Sequence, residues 1–162
     1  MPQSRKKERI VNLLSAYEPD YSHITAKLSE KDIPILNELV MQGPVDVAAR
    51  AIICLGWLSS EKGIPAIEFA AKSDNPILRL TAAHSLGNLS NKPGAWDLIC
   101  GLLDDNDIGV RKFALKSIGH SKIPHLKEKV VQVSLSDPNE HIRKLAEHVL
   151  EKLDAPNTPG SH

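Results

Sequence analysis

Four segments of this 162-residue chain are versions of one another, and that self-similarity restricts its architecture more than any single motif. They cover residues 45–58, 76–89, 108–121 and 140–153, and each holds an alanine in register: Ala51, Ala82, Ala114 and Ala146. The equivalent positions Leu55, Leu86, Ile118 and Leu150 follow at intervals of 31, 32 and 32 residues. A fixed period of this size belongs to stacked supersecondary units, each burying its apolar side against its neighbours. The chain therefore reads as a solenoid, a form that presents an extended binding face and seldom performs chemistry.

Each unit parses into two helices, A followed by B. The B segments follow the turn-forming groups Gly43-Pro44, Asp74-Asn75-Pro76, Asp105-Asn106-Asp107 and Asp137-Pro138-Asn139. Asp and Asn side chains accept from the open amides of a helix start, and proline fits the first helical position because it has no amide to satisfy. Leu78, Ala82, Leu86 and Leu89 in one copy, and Val110, Ala114 and Ile118 in the next, recur at helical spacing. They form a stripe that must be buried. A small residue in the alanine column lets two helix backbones approach closely. The A segments open on Pro34, Pro65, Pro93 and Pro124, and the longer spacing from the last two prolines to their B segments predicts A helices about one turn longer than the first two. Residues 1–154 are expected to form one domain. Within it, 4–31 make a degenerate capping pair and 32–153 four clear repeats, while 155–162 make a disordered tail without periodicity.

Twenty basic residues balance twenty acidic ones. A net charge of zero weighs against non-specific nucleic-acid binding, and 4% aromatic residues are too few for a base-stacking platform. No run of about 18 apolar residues suggests a membrane span. The charged N-terminal stretch lacks the apolar segment and cleavage site of a secretory signal, so a cytoplasmic location is expected. Cys54 and Cys100 both sit in apolar helical patterns and read as buried small hydrophobes rather than a disulfide or metal site.

The pattern Asp-x-x-x-x-Val/Ile-Arg-x-x-Ala, present as Asp105, Val110, Arg111, Ala114 and as Asp137, Ile142, Arg143, Ala146, resembles the HEAT repeat. The Leu/Ile-Gly that follows makes it most similar to the short HEAT-like repeats of phycobiliprotein lyases. The resemblance implies an all-α, right-handed solenoid of about five stacked antiparallel helix pairs. It further implies that the repeated Asp and Arg form a hydrogen-bond ladder between neighbouring repeats: Asp74, Arg79, Asp105, Arg111, Asp137 and Arg143. Copy two departs by one position, and copy one has Ala48 where the arginine belongs.

Removing the buried columns from the B helices leaves a solvent face, which the family geometry implies is the concave one. It comprises Ala49, Leu80, Lys112 and Lys144; Ile53, His84, Lys116 and His148; and Trp57, Asn88, His120 and Lys152. Across the repeats this face changes from apolar (Ala49, Ile53, Trp57) to basic (Lys112, Lys116, Lys144, His148, Lys152). Its two readings are an ordinary solvated surface, with Trp57 covering the junction to the N-terminal pair, and a partner-binding surface with Trp57 as an anchor. The expected partner is a protein with an acidic and partly apolar surface. His84, His120 and His148 fall in different repeats and form no i, i+4 metal pair, and no cofactor is expected. No phosphate loop, nucleophile elbow or Cys/His arrangement occurs. The His-Glu pairs of HEAT-like iron hydroxylases and the groove acid of HEAT-like DNA glycosylases are also missing. The function so implied is a non-catalytic adaptor or scaffold, with an accessory, chaperone-like subunit of a bilin-lyase-type enzyme as the alternative. Trp96 is expected to pack between helices.

Overall fold

The computed structural model describes residues 2–156. The expected disordered tail thus lies outside the described residues from 157 onward, and Ala155 and Pro156 follow the last helix without regular structure. Ten α-helices and no strand occur among the described residues. They are α1 (Gln3–Leu14), α2 (Tyr21–Ala26), α3 (Ile33–Gln42), α4 (Val45–Leu58), α5 (Ile64–Ala71), α6 (Pro76–Leu86), α7 (Ala95–Leu102), α8 (Ile108–Ser121), α9 (Lys127–Ser136) and α10 (Glu140–Asp154). The A helices α3, α5, α7 and α9 each pack on the B helix that follows, and the B helices stack in the order α4, α6, α8, α10. This is an all-α solenoid. The N-terminal helices α1 and α2 both lie against α4.

Side-chain caps start the later B helices. Asn75 accepts from the Ile77 amide at 2.9 Å, Asp107 from Gly109 at 2.7 Å, and Asn139 from His141 at 2.9 Å. Each satisfies an amide that the helix itself leaves open. Pro34 and Pro65 stand in the first turns of α3 and α5 as expected. Pro93 and Pro124 do not start helices. Gly94, with φ of +85°, takes the left-handed conformation just before α7, and Pro124 opens a 3-10 turn to Leu126 ahead of α9. The A helices hold 10, 8, 8 and 10 residues, so the last two are not systematically longer. These connections absorb the extra sequence.

The alanine column is fully buried: Ala51, Ala82, Ala114 and Ala146 all show 0% exposure. A second small-residue column, Gly56, Gly87 and Gly119, does similar work one helix face away. A Cβ on Gly56 would lie 2.9 Å from Ser85 Cβ, one on Gly87 3.1 Å from Ser117 Cβ, and one on Gly119 3.2 Å from Val149 Cγ2. Large side chains such as Ile52, Leu86 and Leu115 fill the space around these approaches, each stabilising the fold by about 1.5–3 kcal/mol through burial. The last helix described, α10, carries exposed Glu147 and Glu151 in the places of buried Leu115 and Gly119, which gives it a polar outer face. At the other end, buried Asp32 accepts from the amide and hydroxyl of Ser29 at 2.8 and 3.0 Å, and the Lys6 ammonium of α1 lies 2.9 Å away. Burial opposes ionisation of Asp32, but these donors outweigh it and hold the carboxyl below its usual range.

Candidate partner-binding site

Two arginines tie successive repeats together beneath the B-helix starts. Arg79 donates through Nε and Nη2 to both carboxylate oxygens of Asp105, at 2.7 and 3.1 Å, and Arg111 does the same to Asp137 at 2.8 and 3.0 Å. The remaining Nη1 of each reaches back to a carbonyl of its own loop, Ser73 or Asp105, at 2.9 Å. This bidentate fork fits guanidinium to carboxylate geometry. Burial pulls the Asp105 carboxyl upward, but the Arg79 fork and the Asp107 amide prevail and hold it below its usual range. Arg143, in the last copy, donates to the Asp137 carbonyl at 2.6 Å.

Asp74 enters this arrangement only through its carbonyl, 3.0 Å from Arg79 Nη1. The position taken by Asp105 and Asp137 in later copies belongs to Ser73, whose Oγ accepts from the Asn75 amide at 3.1 Å just as those carboxylates accept from Asp107 and Asn139. The substitution has a physical reason. The preceding copy carries Ala48 in place of arginine, so no guanidinium arrives there to need a carboxylate.

The helices α4, α6 and α8, with the residues that follow α4 and α6, line an open cleft of about 690 Å³. Its walls are Trp57, His84, Asn88, Phe113, Lys116 and His120, with Gly56, Gly87, Ser59 and Ser117 also lining it. Gly56 and Gly87, which bring the B helices together, thus also border this space. Hydroxyls fasten the lining: Ser59 Oγ donates to the Asn88 carbonyl at 2.9 Å and Ser117 Oγ to the Ala83 carbonyl at 2.7 Å. His84 meets Phe113 edge-on with ring centres 5.7 Å apart, and Lys116 Nζ stands 5.4 Å from the Phe113 ring centre. Trp57 is 56% exposed, a large apolar area left open to solvent inside a concavity.

Of the twelve surface positions singled out in the sequence, the cleft gathers Trp57, His84, Asn88, Lys116 and His120. Ala49, Ile53 and Leu80 are half-buried, and Lys112, Lys144, His148 and Lys152 are exposed outside the cleft. Trp57 faces α6 and α8 across the cleft. On α10, Lys144 pairs with Glu140 at 2.7 Å and His148 lies 3.3 Å from Glu151. α8 carries the exposed Lys112 and Lys116 and no acidic residue of its own, while its Arg111 is committed to Asp137. Phe113 is the lining residue that sequence reasoning missed; its column reads Arg50, Thr81, Phe113, Leu145 and shows no pattern. Trp96 of α7 stacks on His125, in the turn that leads into α9, with ring centres 4.4 Å apart, and is 38% exposed outside the cleft. Cys54 is buried, which pushes its thiol up to about 12, and Cys100 is half-buried.

Comparisons agree with this architecture. Residues 33–108 match the family model of HEAT repeats. No curated protein sequence matches the chain. Among solved structures, the complex of CpcE and CpcF of phycocyanin lyase from Nostoc sp. PCC7120 contains a chain that superposes with a TM-score of 0.72 at 18% identity. The match covers 91% of this chain and 99% of that one. No helix among the described residues is long and apolar enough to cross a membrane.

Proposed function

We propose, from the premise that this chain is an α-solenoid of HEAT-like repeats, that it is a non-catalytic protein-binding module holding a partner on the B-helix face, centred on the α4–α6–α8 cleft. One observation carries this reading: Trp57 stands open in a concavity that Lys116 and His120 also line, and none of its lining residues is acidic. An exposed aromatic in a concave, one-signed setting has the character of an interface anchor, and the α8 charge would steer an acidic partner toward it. The set holds no nucleophile–base pair; the Ser59 and Ser117 hydroxyls both donate to backbone carbonyls.

A second reading, an accessory or chaperone-like subunit of an enzyme, is favoured by the superposition on nearly the full length of a chain from a two-protein lyase complex. Both readings predict a protein partner. The test is affinity capture of partners from host lysate by wild type and by Trp57→Ala/Lys116→Glu, with helicity checked for each. Loss of a specific partner in the variant supports the cleft; equal retention moves the binding surface elsewhere. Enzymatic activity that the captured partner shows only when this chain is bound would select the accessory reading.

A further inference from the structure

We infer that the cleft takes a linear segment of the partner, with one aromatic side chain as its anchor and a carboxylate on the adjacent or next residue. The inference rests on the proposal that the partner binds this face and specifies its chemistry. Trp57 and Phe113 supply aromatic surface on α4 and α8, across a cleft floored by Gly56 and Gly87. Gly56 and Gly87 are buried where the B helices meet, and a side chain at either would press on Ser85 or Ser117, so their close approach sets the base of the slot. A flat ring fits such a slot better than a branched chain, because aromatic pairs adopt offset or edge-on contacts like the one His84 already makes with Phe113.

The polar groups that line the cleft fix the sign of the neighbouring residue. The Ser59 and Ser117 hydroxyls are committed to backbone carbonyls. The Lys116 ammonium and the Trp57 indole N–H can only donate, and none of the lining residues is acidic. Asn88, His84 and His120 can also accept, so the sign is set by Lys116, the permanently charged side chain of the lining, and a carboxylate answers that charge. The position of that charge sets the spacing. Lys116 Nζ lies 5.4 Å from the Phe113 ring centre, whereas successive Cα atoms are about 3.8 Å apart. A ring seated against Phe113 thus places the carboxylate of its next or next-but-one neighbour at Lys116. Lys112 on the same helix, exposed one turn earlier, extends the positive strip for a second acid.

The experiment is calorimetric titration of the full chain with three capped pentapeptides. The first has a central phenylalanine followed by two glutamates. The second replaces the phenylalanine by alanine, and the third replaces the glutamates by lysines. The first should bind with Kd of about 0.1–1 mM, and the other two about tenfold or more weakly. Lys116→Glu, an exposed substitution that leaves helicity unchanged, should reverse the preference between the first and third peptides. Equal binding of the acidic and basic peptides overturns the inference. So does the lack of saturable binding by the first, or an unchanged preference in the variant. If the peptides fail while Trp57→Ala/Lys116→Glu still abolishes partner capture, the binding face stands and the linear segment falls.

Discussion

Replacing Arg111 by methionine tests whether the ladder holds the repeats together. Arg111 is a buried side chain whose fork satisfies both oxygens of Asp137, a carboxylate with only 4% of its side chain exposed. Methionine keeps much of the volume and removes the charge, stranding that carboxylate. Truncating one partner of a buried pair costs about 3–5 kcal/mol. Asp137 would keep one donor, the Asn139 amide at 2.9 Å, which places the expected loss near the lower end, about 3 kcal/mol. For a chain of this length that lowers the melting temperature by roughly 6–12 °C. Urea unfolding followed by circular dichroism reads the loss directly, and a double-mutant cycle isolates the pair. Asp137→Asn on the Arg111→Met background removes the stranded charge while keeping an acceptor for Asn139, so it should recover on the order of 1–2 kcal/mol. The exposed pair of Lys72 with Glu68, at 69% and 45% side-chain exposure, is the control; Lys72→Met should cost less than about 1 kcal/mol. If Arg111→Met cost no more than Lys72→Met, the ladder would be ornamental and the reasoning wrong.

Three further outcomes follow from the same packing. Gly56→Ala should destabilise by about 1–3 kcal/mol through overpacking against Ser85, whereas Gly101→Ala, which meets nothing within 4 Å, should stabilise α7 by about 0.5–1 kcal/mol; equal melting temperatures would contradict the close approach. Asp105 has a folded-state pKa below its unfolded value, so its stabilisation is complete above the unfolded carboxylate value of about 3.9 and is lost as pH falls through the lowered one. Melting curves taken down through that window should show the loss, and Asp105→Asn should flatten this part of the profile. A thiol reagent at mildly alkaline pH should modify half-buried Cys100 first, because Cys54 is buried and its thiol is pushed up to about 12; faster reaction at Cys54 would show that α4 opens readily.

The repeat was legible because period and caps are local signals: Asn75, Asp107 and Asn139 cap the helices that their positions suggest. Proline was ambiguous, since Pro34 and Pro93 look alike in sequence and only the left-handed Gly94 separates the second from a helix start. Asp74 misled because register at a loop shifts by one without changing composition, and the absent arginine at Ala48 relaxed the need for a carboxylate at Ser73. The exposed B-helix columns could be read from periodicity, yet their charge could not. Glu140 pairs with Lys144 and Glu151 lies beside His148, each from a neighbouring turn of the same helix, while α8 has no acid of its own. Phe113 joined the cleft through its contact with His84 from the preceding repeat, which no period announces.

The central claim is that a partner occupies the α4–α6–α8 cleft, and site-specific photo-crosslinking in host lysate tests it most directly. A photoreactive phenylalanine analogue is placed at Trp57 in one variant and, in another, at Leu135 of α9, which is 78% exposed and lies outside the cleft. The account predicts that the position-57 probe yields a discrete crosslinked partner, that the position-135 probe does not, and that Lys116→Glu erases the product. The same partner crosslinked from position 135 and never from position 57 would contradict it.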